Sequence, residues 1–190
     1  MADMFVTPAE LASFLQQDVD TATATLVIQM ATGKVQDAAG QLLIQGTATV
    51  TIDVDMRDGD QYLPLPQMPV RSVATVLIDG VADTTWKLRK QQLWRLYGWN
   101  TNSSAPTQVT PTFTYGYATG AQALQLARDM TLALAGLGYG PGGTGVKSES
   151  LDDYSVTYAD ADARMVITAG MRDRLRNAYG VSAYTTSSRG

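Results

Sequence analysis

The spacing of apolar residues changes twice along the chain, and each change predicts a different kind of element. Thr7-Pro8-Ala9-Glu10 reads as a capping box, with an N-cap Thr, Pro at the first helical position and a Glu placed to reach back to the cap. A short helix to about Gln17 is expected to follow. Asp20 or Thr21 would cap a second helix, in which Ala24, Ile28 and Val35 recur at near-helical spacing and Gly40 lies beyond the end. The two helices would form a hairpin. From Leu42 the period drops to two: Thr47, Thr49, Val50, Thr51, Ile52 and Val54 give the β-branched alternation of a strand. Asp58-Gly59 marks a turn, a second strand is expected over 70–78, and Asp79-Gly80 is a favoured two-residue hairpin signal. Further short strands are expected over 86–88, 93–96 and 109–115.

Helical spacing returns over 121–137, where Ala123, Leu124, Ala127, Met130, Ala133, Leu134 and Leu137 cover more than one stripe and predict a helix buried on several sides. A Gly-rich loop follows over 136–145, and residues 149–158 alternate again as an extended segment. A last helix is expected from a cap near Asp160 to about Tyr179, with Ile167, Met171, Leu175 and Ala178 on one face and Arg172 and Arg176 together on another. These elements add up to an α+β chain: a four-helix bundle-like core with an inserted small antiparallel β module. The expected division is a helical domain from residues 1–40 and 120–180, a β module over 41–119, and a flexible tail over 181–190, which has too little apolar content to fold alone.

Composition narrows the chemistry. The 190 residues contain neither His nor Cys, which removes Ser-His-Asp and Cys-His nucleophile systems and the His- or Cys-ligated zinc sites. Disulfides are impossible, as suits folding in a reducing cytoplasm. At this length roughly 70% of the unfolded surface can be buried, enough for a real core. The 14 Lys plus Arg stand against 18 Asp plus Glu, for a net charge of -4. No dense cationic stripe is present, so sequence-specific DNA binding is not expected. Met1-Ala2-Asp3-Met4-Phe5 carries an acid where a secretory leader needs positive charge, and no apolar run approaches the about 18 residues of a membrane span. A soluble chain without a membrane role is expected.

One resemblance covers nearly the whole chain. The run Ser148-Glu149-Ser150-Leu151-Asp152-Asp153-Tyr154-Ser155-Val156-Thr157-Tyr158 is similar to the Ser-Glu-Ser-Ile-Gly-Asp-Tyr-Ser-Val-Thr-Tyr run of the head-to-tail connector (head completion, or adaptor) proteins of long-tailed bacteriophages and gene transfer agents. Leu63-Pro64, Pro69-Val70, Val73, Ile78-Asp79-Gly80, Leu93-Trp94-Arg95 and Phe113-Thr114-Tyr115-Gly116-Tyr117 also fall in the order seen in members that carry a β insertion. Asp152 departs from the family's common Gly, and simpler members lack the β module. The resemblance implies a non-catalytic structural protein of the virion neck, assembled in the host cytoplasm. It would form a ring of neighbouring copies, usually twelve-fold, beneath the portal protein. The ring completes the filled head and docks the next neck or tail protein, while genomic DNA passes through its channel without sequence-specific binding. On this reading Glu149, Leu151, Asp153, Tyr154, Val156, Tyr158, Arg172, Arg176 and Tyr179 are candidate contacts to neighbouring subunits or the portal. No catalytic residue, cofactor or metal is implied.

Other motifs have a bland and a sharp reading. Gly138-Tyr139-Gly140-Pro141-Gly142-Gly143 fits G-x-G-x-x-G as text but follows a helix, where a dinucleotide fingerprint follows a strand. Gly145-Val146-Lys147-Ser148 misses the order of a phosphate loop. In Asp53-Val54-Asp55-Met56-Arg57-Asp58-Gly59-Asp60 an Arg sits where a calcium loop needs an oxygen ligand. Asp152, Asp153, Asp160 and Asp162 would serve a carboxylate hydrolase or a hard cation, or simply solvate a loop. Trp86, Trp94, Tyr97 and Trp99 are expected mainly as packing; the alternative is a stacking platform, which would make the chain a β-rich module binding carbohydrate. Arg172, Arg174 and Arg176 would meet phosphate, an acidic partner or solvent.

Overall fold

The computed structural model describes residues 4–54, 61–101, 105–139, 148–151, 154–157 and 164–180. They fall into two compact units, one made of residues 1–41 with 119–190 and the other of residues 42–118.

In the first unit, α1 (Pro8–Leu15) opens with the complete capping box. The Thr7 hydroxyl accepts from the Glu10 N–H, and the Glu10 carboxylate accepts from the Thr7 N–H at 2.7 Å. The helix ends at Gln16, which takes a left-handed conformation. Asp20 caps α2 (Thr21–Ala39), accepting from the Thr23 N–H at 2.8 Å, and Gly40 closes it at φ 75°. A 3-10 turn over Gln122–Leu124 leads into α3 (Gln125–Tyr139). Ala24, Val27, Ile28, Ala31 and Val35 of α2 and Ala127, Met130, Leu134 and Ala135 of α3 are buried as the two helices pack. The α3–α2 contact is close at Gly138, where a Cβ would lie 2.9 Å from Met165 Sδ and 3.0 Å from Val27 Cγ1.

The last helix, α4 (Ala169–Tyr179), is capped by Thr168, whose hydroxyl accepts from the Met171 N–H. The expected cap at Asp160 lies outside the described residues, and 165–168 are not helical. Tyr179 locks α4 in place: its hydroxyl donates to the Ala123 carbonyl at 2.7 Å and accepts from the Ala127 N–H, and its carbonyl accepts from the Gln41 side-chain amide. Near the other end of α3, the Tyr139 hydroxyl accepts from the Asp20 N–H.

The second unit is built of strands. β1 (Gly46–Thr49) and β2 (Ile52–Val54) both pair with one side of β8 (Thr107–Tyr115), while the other side of β8 pairs with β4 (Val70–Ile78), which carries β5 (Val81–Ala82). All pairings are antiparallel. A second sheet has the order β3 (Tyr62–Pro64), β7 (Gln92–Arg95), β6 (Trp86–Arg89). The β4–β5 turn uses Asp79 and Gly80, both at positive φ, and the Asp79 carboxylate accepts from the Gln108 N–H and the Thr101 hydroxyl. Gly116, at φ 82°, sits where a Cβ would meet the Ile44 carbonyl oxygen at 2.7 Å. Both sheets feed one core, in which Val54, Leu63, Leu65, Val70, Val76, Ile78, Leu93, Trp99, Val109, Phe113 and Tyr115 are buried together.

A four-helix bundle-like core with a small β insert is therefore not what the chain builds; strands dominate the core. The physical reason lies in how much each helix buries. Among the described residues α1 buries Leu11 and α4 buries Leu175 and Tyr179, so the long contact surface belongs to α2 and α3. The burial expected on several sides of α3 is also absent: Ala133 and Leu137 are exposed opposite a single buried stripe. A strand shows only every second side chain to its core, so its apolar content looks thin beside a helix, although two facing sheets close a complete interior.

Candidate interaction surfaces

Residues 148–157, which carry the resemblance, form an antiparallel ribbon of β9 (Ser148–Leu151) and β10 (Tyr154–Thr157). The register pairs Leu151 with Tyr154, Ser150 with Ser155, Glu149 with Val156 and Ser148 with Thr157. Among the described residues the ribbon pairs with neither larger sheet. The outer edges of a two-stranded ribbon are rows of N–H and C=O groups that a further strand can complete. Of the other candidate contacts, Asp153 and Tyr158 lie outside the described residues. Arg172 and Arg176 are exposed on α4 and meet no carboxylate among the described residues. Tyr179 is buried, with its hydroxyl and carbonyl both bonded within its own unit.

The tryptophans separate. Trp99 is 1% exposed, and its indole N–H donates to the Gln61 carbonyl at 3.1 Å. Trp86 is half-buried and donates to the Asp83 carbonyl. Trp94 faces outward, donating to the Gln61 side chain, with the Arg89 guanidinium 4.5 Å from its ring centroid. Tyr97 is 88% exposed. Since Trp99 belongs to the core, the cluster does not act as one stacking platform.

Sequence reasoning missed the surface around Trp94. The β3–β7–β6 register pairs Tyr62 with Trp94 and Trp94 with Lys87, and pairs Pro64 with Gln92 and Gln92 with Arg89. These six residues share the outer face, while Leu63, Leu93 and Leu88 point to the core. Tyr62, Lys87 and Arg89 are exposed. Lys87, Arg89 and the neighbouring Lys90 meet no carboxylate among the described residues. Arg95, on the inner parity, is paired with Asp83 at 3.3 Å. The available signal was a long gap in acids: residues 84–128 contain no Asp or Glu.

Between α1 and α3 lies an open cleft of about 490 Å³, lined by Val6, Ala9, Phe14 and Leu132 and crossed by the Glu10–Arg128 ion pair. The Glu10 carboxyl is held below its usual range, first by the Thr7 backbone N–H and with help from the Thr7 hydroxyl and Arg128, against a smaller opposing effect of burial. Its negative charge is thus committed to the cap and the ion pair. No cluster of three or more potential metal ligands occurs among the described residues. Asp152, Asp153, Asp160 and Asp162 lie outside them, as does most of the acidic run after Val54. Gly138 and Tyr139 are the end of α3, and the rest of that glycine motif is outside the described residues. No described helix is long and apolar enough to cross a membrane. No protein-family model matches the chain, and no curated protein matches it.

Proposed function

We propose that the chain is a non-catalytic structural subunit of a phage neck, an adaptor that forms a ring beneath the portal and docks the next neck or tail protein. The observation that supports this reading is the β9–β10 ribbon. It is built from the same residues that resemble the connector family, and among the described residues it pairs with neither larger sheet. An isolated two-stranded ribbon is marginal in water, so it gains most when another chain adds a strand to it. A structural subunit that orders fully only against its neighbours has this property.

Co-expression with the portal protein of the same genome, followed by electron microscopy of the purified complex, tests the proposal. A ring of this chain on the tail-facing end of the portal is expected. A folded, monodisperse protein that binds neither empty nor DNA-filled portal-bearing heads would overturn it.

A further inference from the structure

No described carboxylate of the β unit meets the cations on the outer face of β3–β7–β6. Asp83 is bonded to Arg95 and to the Thr85 hydroxyl. Asp79 holds the Gln108 N–H and the Thr101 hydroxyl, and Asp53 lies on β2 of the other sheet. Lys87, Arg89 and Lys90 are exposed, with no acid partner among the described residues. Lys87 and Arg89 stand two residues apart on β6, at the edge of its sheet, and so about 7 Å from each other in one line. Lys90 extends that line into the β6–β7 turn at φ 48°. Its neighbour Gln91 accepts from the Val70 N–H, which ties down the turn that presents Lys90. Beside the cations, the register sets Tyr62 directly against Trp94, two flat rings on adjacent strands, both open to solvent at least in part.

We infer that this face binds single-stranded nucleic acid irrespective of its sequence, with bases stacked on Trp94 and Tyr62 and phosphates held by Lys87, Arg89 and Lys90. The two kinds of side chain select the ligand together. A row of cations suits any polyanion, but an acidic peptide would leave the rings without a flat partner. In a duplex the bases are stacked on one another, so only an unpaired strand offers phosphates and open base faces at once. Every base has such a face, and contacts to phosphate carry no sequence information, so no base is preferred. In the free protein the Arg89 guanidinium lies 4.5 Å from the Trp94 ring centroid. Rotation of that side chain lets a base take its place and leaves the charge beside the adjoining phosphate. The site is built within the β unit alone, so it does not depend on the adaptor reading.

Fluorescence anisotropy of the full chain with a labelled oligothymidylate tests the site. Saturable binding is expected at low salt, with log K falling against log salt at a slope of about −2, as three phosphate contacts require. Lys87→Gln should reduce the steepness of that slope by about 0.7; it neutralises an exposed side chain, so the change reads the contact and not the fold. Trp94→Ala should weaken binding about tenfold, and Trp94→Phe, which keeps a π face, should restore most of it. Arg174→Gln, on the exposed side of α4, should change nothing. The site is overturned by an absence of binding at low salt, by equal affinity for the matching duplex, or by loss on Arg174→Gln with none on Lys87→Gln. Unchanged binding in Trp94→Ala would overturn the stacking, and polyglutamate bound as tightly as the oligonucleotide would assign an acidic protein partner instead. A chain that binds the oligonucleotide as described but never docks on the portal would remove the adaptor reading and leave this site standing.

Discussion

Trp99 is enclosed among Leu63, Leu93 and Phe113 in the β core and has its indole N–H satisfied by Gln61, whereas Trp94 lies on the surface beneath Arg89. The two residues should respond differently to truncation. Trp99→Ala leaves a cavity and removes one of the two donors to the Gln61 carbonyl, the Arg95 N–H remaining, and should lower stability by about 3–5 kcal/mol. Trp94→Ala loses a partly exposed ring and one cation–π contact, and should cost about 1 kcal/mol. Urea unfolding of the two variants would check this; equal losses would mean that Trp94 is also part of the core. Spacing could not separate them, because both belong to a run dense in aromatic residues. The distinction comes from strand parity, which fixes Trp94 opposite Tyr62 and Lys87.

Elements were most legible where local chemistry decides them. The Thr7 box, the Asp20 and Gly40 caps and the Asp79-Gly80 turn depend on interactions within a few residues, and each is present. The β6–β7 turn was not legible, since Lys90 and Gln91 carry its positive φ angles without a glycine. Gln91 is held there by tertiary contact, accepting from the Val70 N–H. The start of α4 was misread because several acids and hydroxyls offer caps in the sequence; the described helix opens at Thr168, whose hydroxyl accepts from the Met171 N–H. The extended backbone of 148–151 and 154–157 followed from alternation, but the cationic sheet face needed the pairing of three strands. At this scale α1 also makes a pH prediction. Glu10 has a folded pKa below its unfolded value near 4.5. Its contribution is therefore complete above that value and is lost as pH falls through the folded pKa. Glu10→Gln should lower stability by about 0.5–1 kcal/mol at pH 7, because the pair is partly exposed. The difference from wild type should vanish in strong acid; a gap that persists at pH 2 in chemical denaturation would contradict the role given to the carboxylate.

For the molecule as a whole, the division at residues 42 and 118 separates a β unit whose core is drawn entirely from its own strands and loops. A unit of this size with its own interior meets the requirements for independent folding. Residues 42–118 expressed alone should show a cooperative urea transition and protected amides in β8, which pairs along its length on both sides. A fragment without a transition would mean that the β core depends on the helical unit.

Along β1, β2 and β8 the hydroxyls of Thr47 and Thr114, Thr49 and Thr112, and Thr51 and Thr110 pair with one another across the strands. The exposed Asp53 continues the same row opposite Gln108, so the face is polar and hydrated. In each pair one hydroxyl donates to the other, so the accepting hydroxyl keeps its own O–H for water. Drying this face would therefore strand one donor per pair, so the threonine row keeps that side of the sheet wet and marks it as a solvent boundary of the β unit.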